Sequence, residues 1–233
     1  MITSVITNFN QGKFIESALN SLLGQTMLPS EIIIVDDKST DNSVELIEKC
    51  IGKYTGPIPI HFIKRETNGK PGGARNSAIK IAKGDIITFL DIDDYYYKDK
   101  IQKSVEILQE HPEVGLVYSD YDKTDLRTGK SIREFKHPYD FALLWQACIV
   151  STNSVIRAEV FKEGLVGLFN EKYLVAEDYE MWLRIARKYI LWHIPEPLFM
   201  YRLHGENLTI KYGYTMNKVV EEIKRNYINE HST

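Results

Sequence analysis

Residues 84–94 read GDIITFLDIDD, an apolar run that stops at three carboxylates. The run at residues 86–90 lacks the polar alternation of a half-exposed strand, so it predicts a strand covered on both faces. Asp91, Asp93 and Asp94 follow where that strand ends. In an open parallel sheet this end of the strands is where ligands bind. The segment therefore predicts both a class of fold and the position of a binding site.

The chain before this segment predicts three more strands, each followed by a helical pattern. The strands fall at residues 4–8, 32–35 and 58–64, and the helical patterns at residues 14–23, 44–51 and 73–83. Such an alternation implies right-handed crossovers and a mainly parallel sheet. Polar side chains end two of these strands as well, Thr7 and Asn8 the first, Asp36 and Asp37 the second. We therefore expect a Rossmann-like front half, residues 1–97.

The back half, residues 98–233, is less regular. Helical spacing recurs at residues 98–110, at residues 177–189 and in a C-terminal amphipathic segment with Val219, Val220, Ile223 and Tyr227, and strands are predicted at residues 114–121, 191–194 and 198–203. No internal repeat or low-complexity linker interrupts the pattern. The sequence thus predicts one α/β domain over residues 1–233.

The composition is that of an ordinary globular protein. Hydrophobic residues make up 43% of the 233 and charged residues 26%. The net charge of −3 offers no electrostatic basis for a nucleic-acid partner. Cys50 and Cys148 are too few for a disulfide framework and lack metal-ligand spacing, so we expect reduced thiols.

The sequence shows no signal for export or for crossing a membrane. Residues 1–7 lack the basic start and the apolar length of a secretory signal. The longest apolar stretch, residues 141–150, is about half of the roughly 20 residues that a membrane helix needs. The C-terminal segment mixes basic and acidic residues, which favours a solvated face over a strong membrane anchor. We expect a cytoplasmic protein, with peripheral membrane association left open.

The three clustered aspartates suggest a divalent cation. Asp91, Asp93 and Asp94 would repel one another beside a buried strand unless protons or a cation compensated their charge. Mg²⁺ and Mn²⁺ are commonly held by one or two carboxylates together with substrate phosphates. The alternative is that each aspartate caps a turn, which is the favoured interpretation for an isolated one.

Six segments resemble, in order, the motifs of the GT-A glycosyltransferases, in particular the inverting family 2. They are SVITNFN at residues 4–10, VDDKSTD at 35–41, GARN at 73–76, GDIITFLDIDD at 84–94, AED at 176–178 and YRLH at 201–204. The resemblance implies a GT-A fold with a nucleotide-sugar-binding half at residues 1–97 and an acceptor-binding half at residues 98–233. It also implies transfer of a sugar from a nucleotide-diphosphate sugar, with UDP favoured, to a hydroxyl of a glycan or lipid-linked glycan.

The same resemblance implies roles for individual residues. The nucleotide-sugar set is Thr7 and Phe9 beside the base, Asp37 bonded to the base, Arg75 near the ribose and diphosphate, and Asp91 with Ile92 at the ribose or sugar. Asp93 and His204 would hold Mn²⁺ or Mg²⁺, and Asp178 would be the catalytic base. Lys38 stands where the family often has glycine, and Phe9 replaces a frequent tyrosine.

Chemistry supports these roles independently. A metal can neutralise a nucleoside diphosphate as it leaves, and a carboxylate on the opposite face of the sugar can accept the proton of the attacking hydroxyl. Other interpretations stay open: Glu177 and Asp178 would also suit a helix N-terminus, and His204 alone could be a hydrogen-bonded surface histidine.

Two other functions are alternatives to this one. A sugar nucleotidyltransferase normally needs an early loop rich in glycine with an arginine, whereas residues 4–13 offer only Gly12. A non-catalytic module that binds sugar nucleotides is disfavoured by the retained carboxylates Asp37, Asp91, Asp93 and Asp178. The chain also ends soon after its last motif, without the membrane helices of processive family members, so we expect single-sugar transfer.

Overall fold

The front half forms the strands and helices that its apolar patterns predict. In the computed structural model, which describes residues 1–229, the front-half strands are β1 (Ile2–Asn8), β2 (Glu31–Asp36), β3 (Ile60–Lys64) and β4 (Ile86–Asp91). The helices between them are α1 (Ile15–Leu23), α2 (Ser43–Gly52) and α3 (Lys70–Ile79). Every residue of β2 is buried, as expected of a strand covered on both faces.

The back half adds shorter elements and one long strand. In order they are β5 (Tyr95–Tyr96), α4 (Lys100–Glu110), β6 (Val114–Asp125), β7 (Ser131–Glu134), α5 (Phe141–Gln146), β8 (Val155–Arg157), α6 (Glu177–Ile185), β9 (Ile190–Leu203), α7 (Leu208–Lys211) and α8 (Gly213–Asn229). Single 3₁₀ turns lie at Gly12–Phe14 and Ala158–Phe161.

One sheet runs through both halves of the chain. Its strand order is β3-β2-β1-β4-β8-β6-β9-β5, with β7 paired to β6, over the described residues 1–229. The pairs among β1, β2, β3 and β4 are all parallel. Beyond β4 the pairing is antiparallel, except between β6 and β9. The α/β class is confirmed, and the parallel part of the sheet is the part that the sequence pattern predicted.

The long strand β9 corrects the prediction of two separate strands. It includes Pro195 and Pro197, which lack a backbone N–H and so cannot complete a sheet ladder. The register between β6 and β9 shifts near this point, between Ser119 and Asp120 and again between Asp120 and Asp122. The prolines therefore bend the strand without ending it. This continuation carries the last four residues of β9 toward the end of β4.

The sheet buries apolar side chains on both faces. Val5, Ile33 and Phe89 point to one face, where they pack with residues of α3 and α6. Ile6 and Leu90, their neighbours along the strands, point to the other face and pack with α1 and α4. The predicted apolar face of the last helix also packs, since Ile223, Val219, Val220 and Tyr227 all contact the first of these clusters.

None of the helices within residues 1–229 combines the length and the apolar character needed to cross a bilayer.

Candidate functional site

The carboxyl ends of β1, β2 and β4 meet at one edge of the sheet. The register pairs Thr7 with Asp91 and Asn8 with Asp36. The hydroxyl Oγ1 of Thr7 donates to Oδ1 of Asp91 at 3.2 Å, and the amide Nδ2 of Asn8 donates to Oδ1 of Asp36 at 2.7 Å. The predicted gathering of polar side chains at this edge is therefore observed.

Asp36 and Asp37 have different environments. Asp36 accepts hydrogen bonds from Asn8 and from the backbone N–H of Ser39, so it closes its own loop as a turn aspartate does. Asp37 instead faces the loop before α3, where its Oδ1 accepts from the N–H of Gly69 at 2.9 Å and lies 2.8 Å from Nε of Arg65. Burial raises the pKa of Asp37, against the lowering effect of these two partners.

Two departures from the family pattern stand beside Asp37. Lys38 adopts a φ of +61°, the left-handed region that favours glycine, so the glycine that the resemblance leads us to expect would suit this backbone. Phe9 leaves 47% of its surface exposed beside the end of β1. Its ring is thus available as a flat apolar surface against which a base could stack.

The three clustered aspartates are compensated largely by protein groups. Asp91 accepts hydrogen bonds from the hydroxyl of Thr7 and from Nη2 of Arg75, the latter at 3.0 Å. Asp94 is buried and accepts from Nδ2 of Asn153 at 2.6 Å and from the N–H of Arg202 at 3.0 Å. Burial, followed by the charge of Asp93, raises the pKa of Asp94 well above its usual range. Charge crowding alone is therefore a weaker argument for a cation than the sequence suggested.

The side chain of Ile92 does not face this edge. It is 2% exposed and packs in the core with residues of β1, α1 and α4. Its N–H donates to the carbonyl of Thr7 at 3.1 Å. The contact between Ile92 and a nucleotide sugar therefore stays a prediction, and it would be made by the backbone of Ile92 and not by its side chain. Ile92 follows the last residue of β4, and its side chain lies in the same core cluster as that of Leu90.

Asp93 and His204 are brought together by the end of β9. The Oδ2 atom of Asp93 lies 2.9 Å from Nε2 of His204, and the two side chains are 19% and 6% exposed. Within residues 1–229 no three His, Cys, Asp or Glu side chains surround a common point. One carboxylate and one imidazole nevertheless fit Mg²⁺ or Mn²⁺ when the remaining ligands are phosphate oxygens and water. The donor set thus suits a cation bound together with a diphosphate.

Arg75 lies between two carboxylates inside the protein. Its side chain is 3% exposed, and its guanidinium reaches Glu177 Oε1 at 2.6 Å as well as Asp91. The ring of Phe169 lies 5.5 Å from the guanidinium carbon. Burial alone would lower the pKa of Arg75, but Asp91 and Glu177 together raise it above the usual value. Arg75 therefore contacts Asp91, the predicted ribose contact, from the buried side and fixes the position of its carboxylate.

Asp178 is the second residue of helix α6, directly after Glu177. Ala176, at the N-cap, takes a φ of +59°, which turns the chain sharply into the helix. The Oδ1 atom of Asp178 accepts from the N–H of Tyr179 at 2.8 Å. Burial raises the pKa of Asp178 and the charge of Arg75 lowers it. A carboxylate with a raised pKa, near but not fully inside the core, has the properties of a general base.

Four polar side chains that hold the site were assigned no role from sequence: Glu177, Arg202, Asn153 and Asn207. Glu177 directly precedes Asp178 and Arg202 lies two residues before His204, so their places in the AED and YRLH segments are a usable signal. The two asparagines lie in irregular segments where neither periodicity nor motif spacing singles them out.

Comparisons with known proteins agree with this geometry. The family model described as "Glycosyl transferase family 2" matches residues 3–165. An Escherichia coli protein named UDP-Glc:alpha-D-GlcNAc-diphosphoundecaprenol beta-1,3-glucosyltransferase WfaP is 32% identical over 192 residues, which cover 81% of this chain and 71% of that protein. An uncharacterized glycosyltransferase of Haemophilus influenzae is 26% identical over 98% of this chain and 73% of its own length.

Solved structures show the same fold. S. aureus TarS 1-349 in complex with UDP-GlcNAc superposes with a TM-score of 0.74 at 22% identity, over 98% of this chain and 66% of that one. The mannosyltransferase PcManGT from Pyrobaculum calidifontis, in complex with GDP-Man and Mn²⁺, gives a TM-score of 0.66 at 19% identity, over 85% of this chain and 56% of that one. The alignments with several other relatives cover much less of the relative's own length, such as 34% of an uncharacterized glycosyltransferase of Rickettsia conorii.

Proposed function

Since the chain belongs to glycosyl transferase family 2, we propose that it transfers a sugar from a nucleotide-diphosphate sugar to a hydroxyl, with inversion at the anomeric carbon. That it is a glycosyltransferase follows from the family match and from its named relatives. This membership also argues against the nucleotidyltransferase alternative. The observation that carries the proposal is the contact series Thr7–Asp91–Arg75–Glu177, which links the donor edge of the sheet to the start of α6.

The donor would bind across the ends of β1, β2 and β4. Phe9 would stack on the base and Asp37 would hydrogen-bond it, with Thr7 close by. Asp91, fixed by Arg75, would contact the ribose or sugar. UDP is the favoured nucleotide because the E. coli relative is named for UDP-Glc and TarS was crystallised with UDP-GlcNAc.

Asp93 and His204 would hold Mn²⁺ or Mg²⁺ at the diphosphate. When bound, the cation supplies positive charge to the leaving nucleoside diphosphate. The structure of the mannosyltransferase with GDP-Man and Mn²⁺ supports a divalent cation in a protein of this fold. Asp93 and His204 contribute one oxygen and one nitrogen ligand, and their 2.9 Å contact keeps both side chains at the donor edge before any ligand binds.

Asp178 would act as the general base. Its carboxylate would accept the proton of the attacking hydroxyl, while Glu177 stays engaged with Arg75. Asp178 lies at the start of α6, far in sequence from the segments that would bind the donor. Because Arg75 contacts both Asp91 and Glu177, it would fix the distance between the donor edge and the base. The back half, residues 98–233, would shape the acceptor site, and residues 1–97 would bind the donor.

The acceptor is proposed to be a glycan or a lipid-linked glycan. The name of the E. coli relative states a diphosphoundecaprenol-linked acceptor, which supports the lipid-linked form. Such an acceptor would place the reaction at a membrane surface. The expected reduced thiols favour the cytoplasmic face, with peripheral association of the enzyme.

A donor screen tests the proposal. Thermal shift would be measured with UDP-Glc, UDP-GlcNAc, UDP-Gal and GDP-Man, each with and without Mn²⁺. Release of UDP or GDP would then be followed for every donor that binds. We expect stabilisation by at least one donor, greater with Mn²⁺, and slow release of its nucleoside diphosphate. Binding of none of the four would refute the donor assignment, whereas binding without turnover in the presence of glycan acceptors would favour the non-catalytic alternative.

A further inference from the structure

Asn207 is a buried amide that touches both residues proposed to hold the cation. It is 5% exposed. Its Oδ1 accepts from the backbone N–H of His204 at 2.9 Å, and its Nδ2 donates to the carbonyl of Arg202 at 2.9 Å. The same Nδ2 lies 3.4 Å from Oδ2 of Asp93, the oxygen that faces the imidazole of His204.

The side chain of Asn207 is not used to cap a helix. Asn207 stands at the N-cap of α7, where an asparagine normally accepts a hydrogen bond from an N–H in the first turn. Here it makes no such bond. Its amide turns instead toward Asp93 and the turn at residues 202–204, so this residue has a role at the site and not in the short helix.

The partners of the amide fix its orientation. The N–H of His204 can only donate, so it requires the amide oxygen. The carbonyl of Arg202 can only accept, so it requires the amide nitrogen. The group that points at Asp93 is therefore an N–H donor. Asn207 in this position offers no oxygen ligand to a cation next to Asp93.

We propose that Asn207 is a positioning residue for the divalent cation, holding the Asp93 carboxylate and the His204 backbone in the arrangement that binds it. This inference rests on the cation site of the proposed function. Partners of metal ligands orient those ligands, and their loss typically weakens metal binding by about 10- to 100-fold. Asn207 holds the backbone next to one ligand and the side chain of the other, so its removal loosens both.

Two substitutions separate positioning from direct ligation. Asn207→Ala removes all three contacts. Asn207→Asp keeps an oxygen for the N–H of His204, but it sets a carboxylate oxygen against two acceptors, the carbonyl of Arg202 and the carboxylate of Asp93. Positioning by donation therefore predicts weaker cation binding in both variants. A direct ligand role predicts that the aspartate variant binds the cation at least as tightly as the wild type.

The experiment titrates Mn²⁺ into the full chain, first alone and then with UDP at a fixed concentration, and follows the free ion by electron paramagnetic resonance. The same titration of UDP without protein is the reference. Asn226→Ala is the matched control, because Asn226 lies on α8 and its Nδ2 donates to the hydroxyl of Tyr173. Circular dichroism melts check that each variant folds. We expect a dissociation constant about 10- to 100-fold higher for both Asn207 variants and unchanged for Asn226→Ala.

The outcomes distinguish this inference from the proposed function. A wild-type chain that binds Mn²⁺ neither alone nor in the presence of UDP would refute the cation site and the role of Asn207 with it. Wild-type binding together with folded Asn207 variants that bind within twofold of it would refute the role of Asn207 alone. Tighter binding by Asn207→Asp would replace positioning by direct ligation. If Asn207→Ala does not fold, the nearly isosteric Asn207→Asp still decides.

Discussion

Arg75 Nη1 lies 2.6 Å from Glu177 Oε1, joining two segments that are 102 residues apart in sequence. The second amine of the same guanidinium lies 3.0 Å from Asp91 Oδ1. One buried arginine thus connects the donor edge of the sheet with the first residue of α6, which directly precedes the proposed base. Because a guanidinium is planar and always charged, it fixes both carboxylates in position better than a lysine could.

Arg75→Met should strongly destabilise the fold. Removing one partner of a buried ion pair leaves unpaired charge inside the protein, at a cost of about 3–5 kcal/mol. Adding Glu177→Gln should recover part of this loss, since it removes one of the stranded charges. Urea unfolding of the wild type, both single variants and the double variant gives the coupling, expected at about 1–3 kcal/mol. Strictly additive effects would show that the two side chains do not depend on each other.

Asp178→Asn should abolish most of the transfer while leaving the donor bound. Loss of a general base typically costs about 10²–10⁴-fold in rate. Turnover would be measured by release of the nucleoside diphosphate, and donor affinity by calorimetry. Glu180→Gln, on the same helix and paired with Arg184, is the control that should retain activity. The base assignment fails if Asp178→Asn loses donor binding but keeps its turnover.

The front half could be predicted from sequence because its elements are local and repetitive. The apolar run at residues 86–90 predicts a buried strand. Parallel pairing of this strand with β1 places Thr7 next to Asp91. The two-residue β5 and the three-residue β8 could not be predicted, since such short strands show no period. They form through pairing with β9, β4 and β6, which lie far away in the chain.

The candidate site divides in the same way. Asp37, Asp93 and His204 could be found from motifs, and the structure brings the last two into contact. The structural role of Asp94 could not be found from motifs. It depends on hydrogen bonds from Asn153 and from the backbone of Arg202, which lies 108 residues from Asp94 in the chain. From sequence all three clustered aspartates look equivalent, whereas burial and hydrogen-bond partners give each a different environment.

Asp93→Ala should remove the effect of Mn²⁺ on donor affinity. In the wild type we expect UDP to bind more tightly with Mn²⁺ than without it, because Asp93 and His204 would hold a cation whose charge offsets that of the diphosphate. In the variant the two affinities should coincide. Calorimetry with UDP measures the two affinities, one in the presence of Mn²⁺ and one in the presence of a chelator. The titration with chelator also shows whether the nucleotide site of the variant is intact. Retention of the full Mn²⁺ effect would remove Asp93 from the set of ligands.

The burial of Lys100 should make the stability of the protein depend on pH, independently of the candidate site. Its side chain is fully buried, with Nζ 3.1 Å from the hydroxyl of Ser119 and 5.5 Å from the ring centre of Phe199. Burial lowers the pKa of Lys100 to about 7. The folded state therefore resists a charge that the unfolded chain carries freely up to a pKa of about 10.4. This penalty is complete below about pH 7 and fades as the pH rises toward 10.

Lys100→Met should consequently be more stable than the wild type near pH 6–7. Methionine keeps the length and apolar character of the lysine side chain, and the gain should be about 1–3 kcal/mol after the loss of the ring contacts and the hydrogen bond. The difference between the two proteins should shrink as the pH rises from 7 to 10, because the unfolded lysine then loses its proton as well. Urea unfolding across this pH range measures it. The exposed Lys98, changed to methionine, is the matched control and should show no such pH trend. If the difference in stability between Lys100→Met and the wild type stays constant from pH 6 to pH 10, the pKa of Lys100 is not lowered in the folded protein.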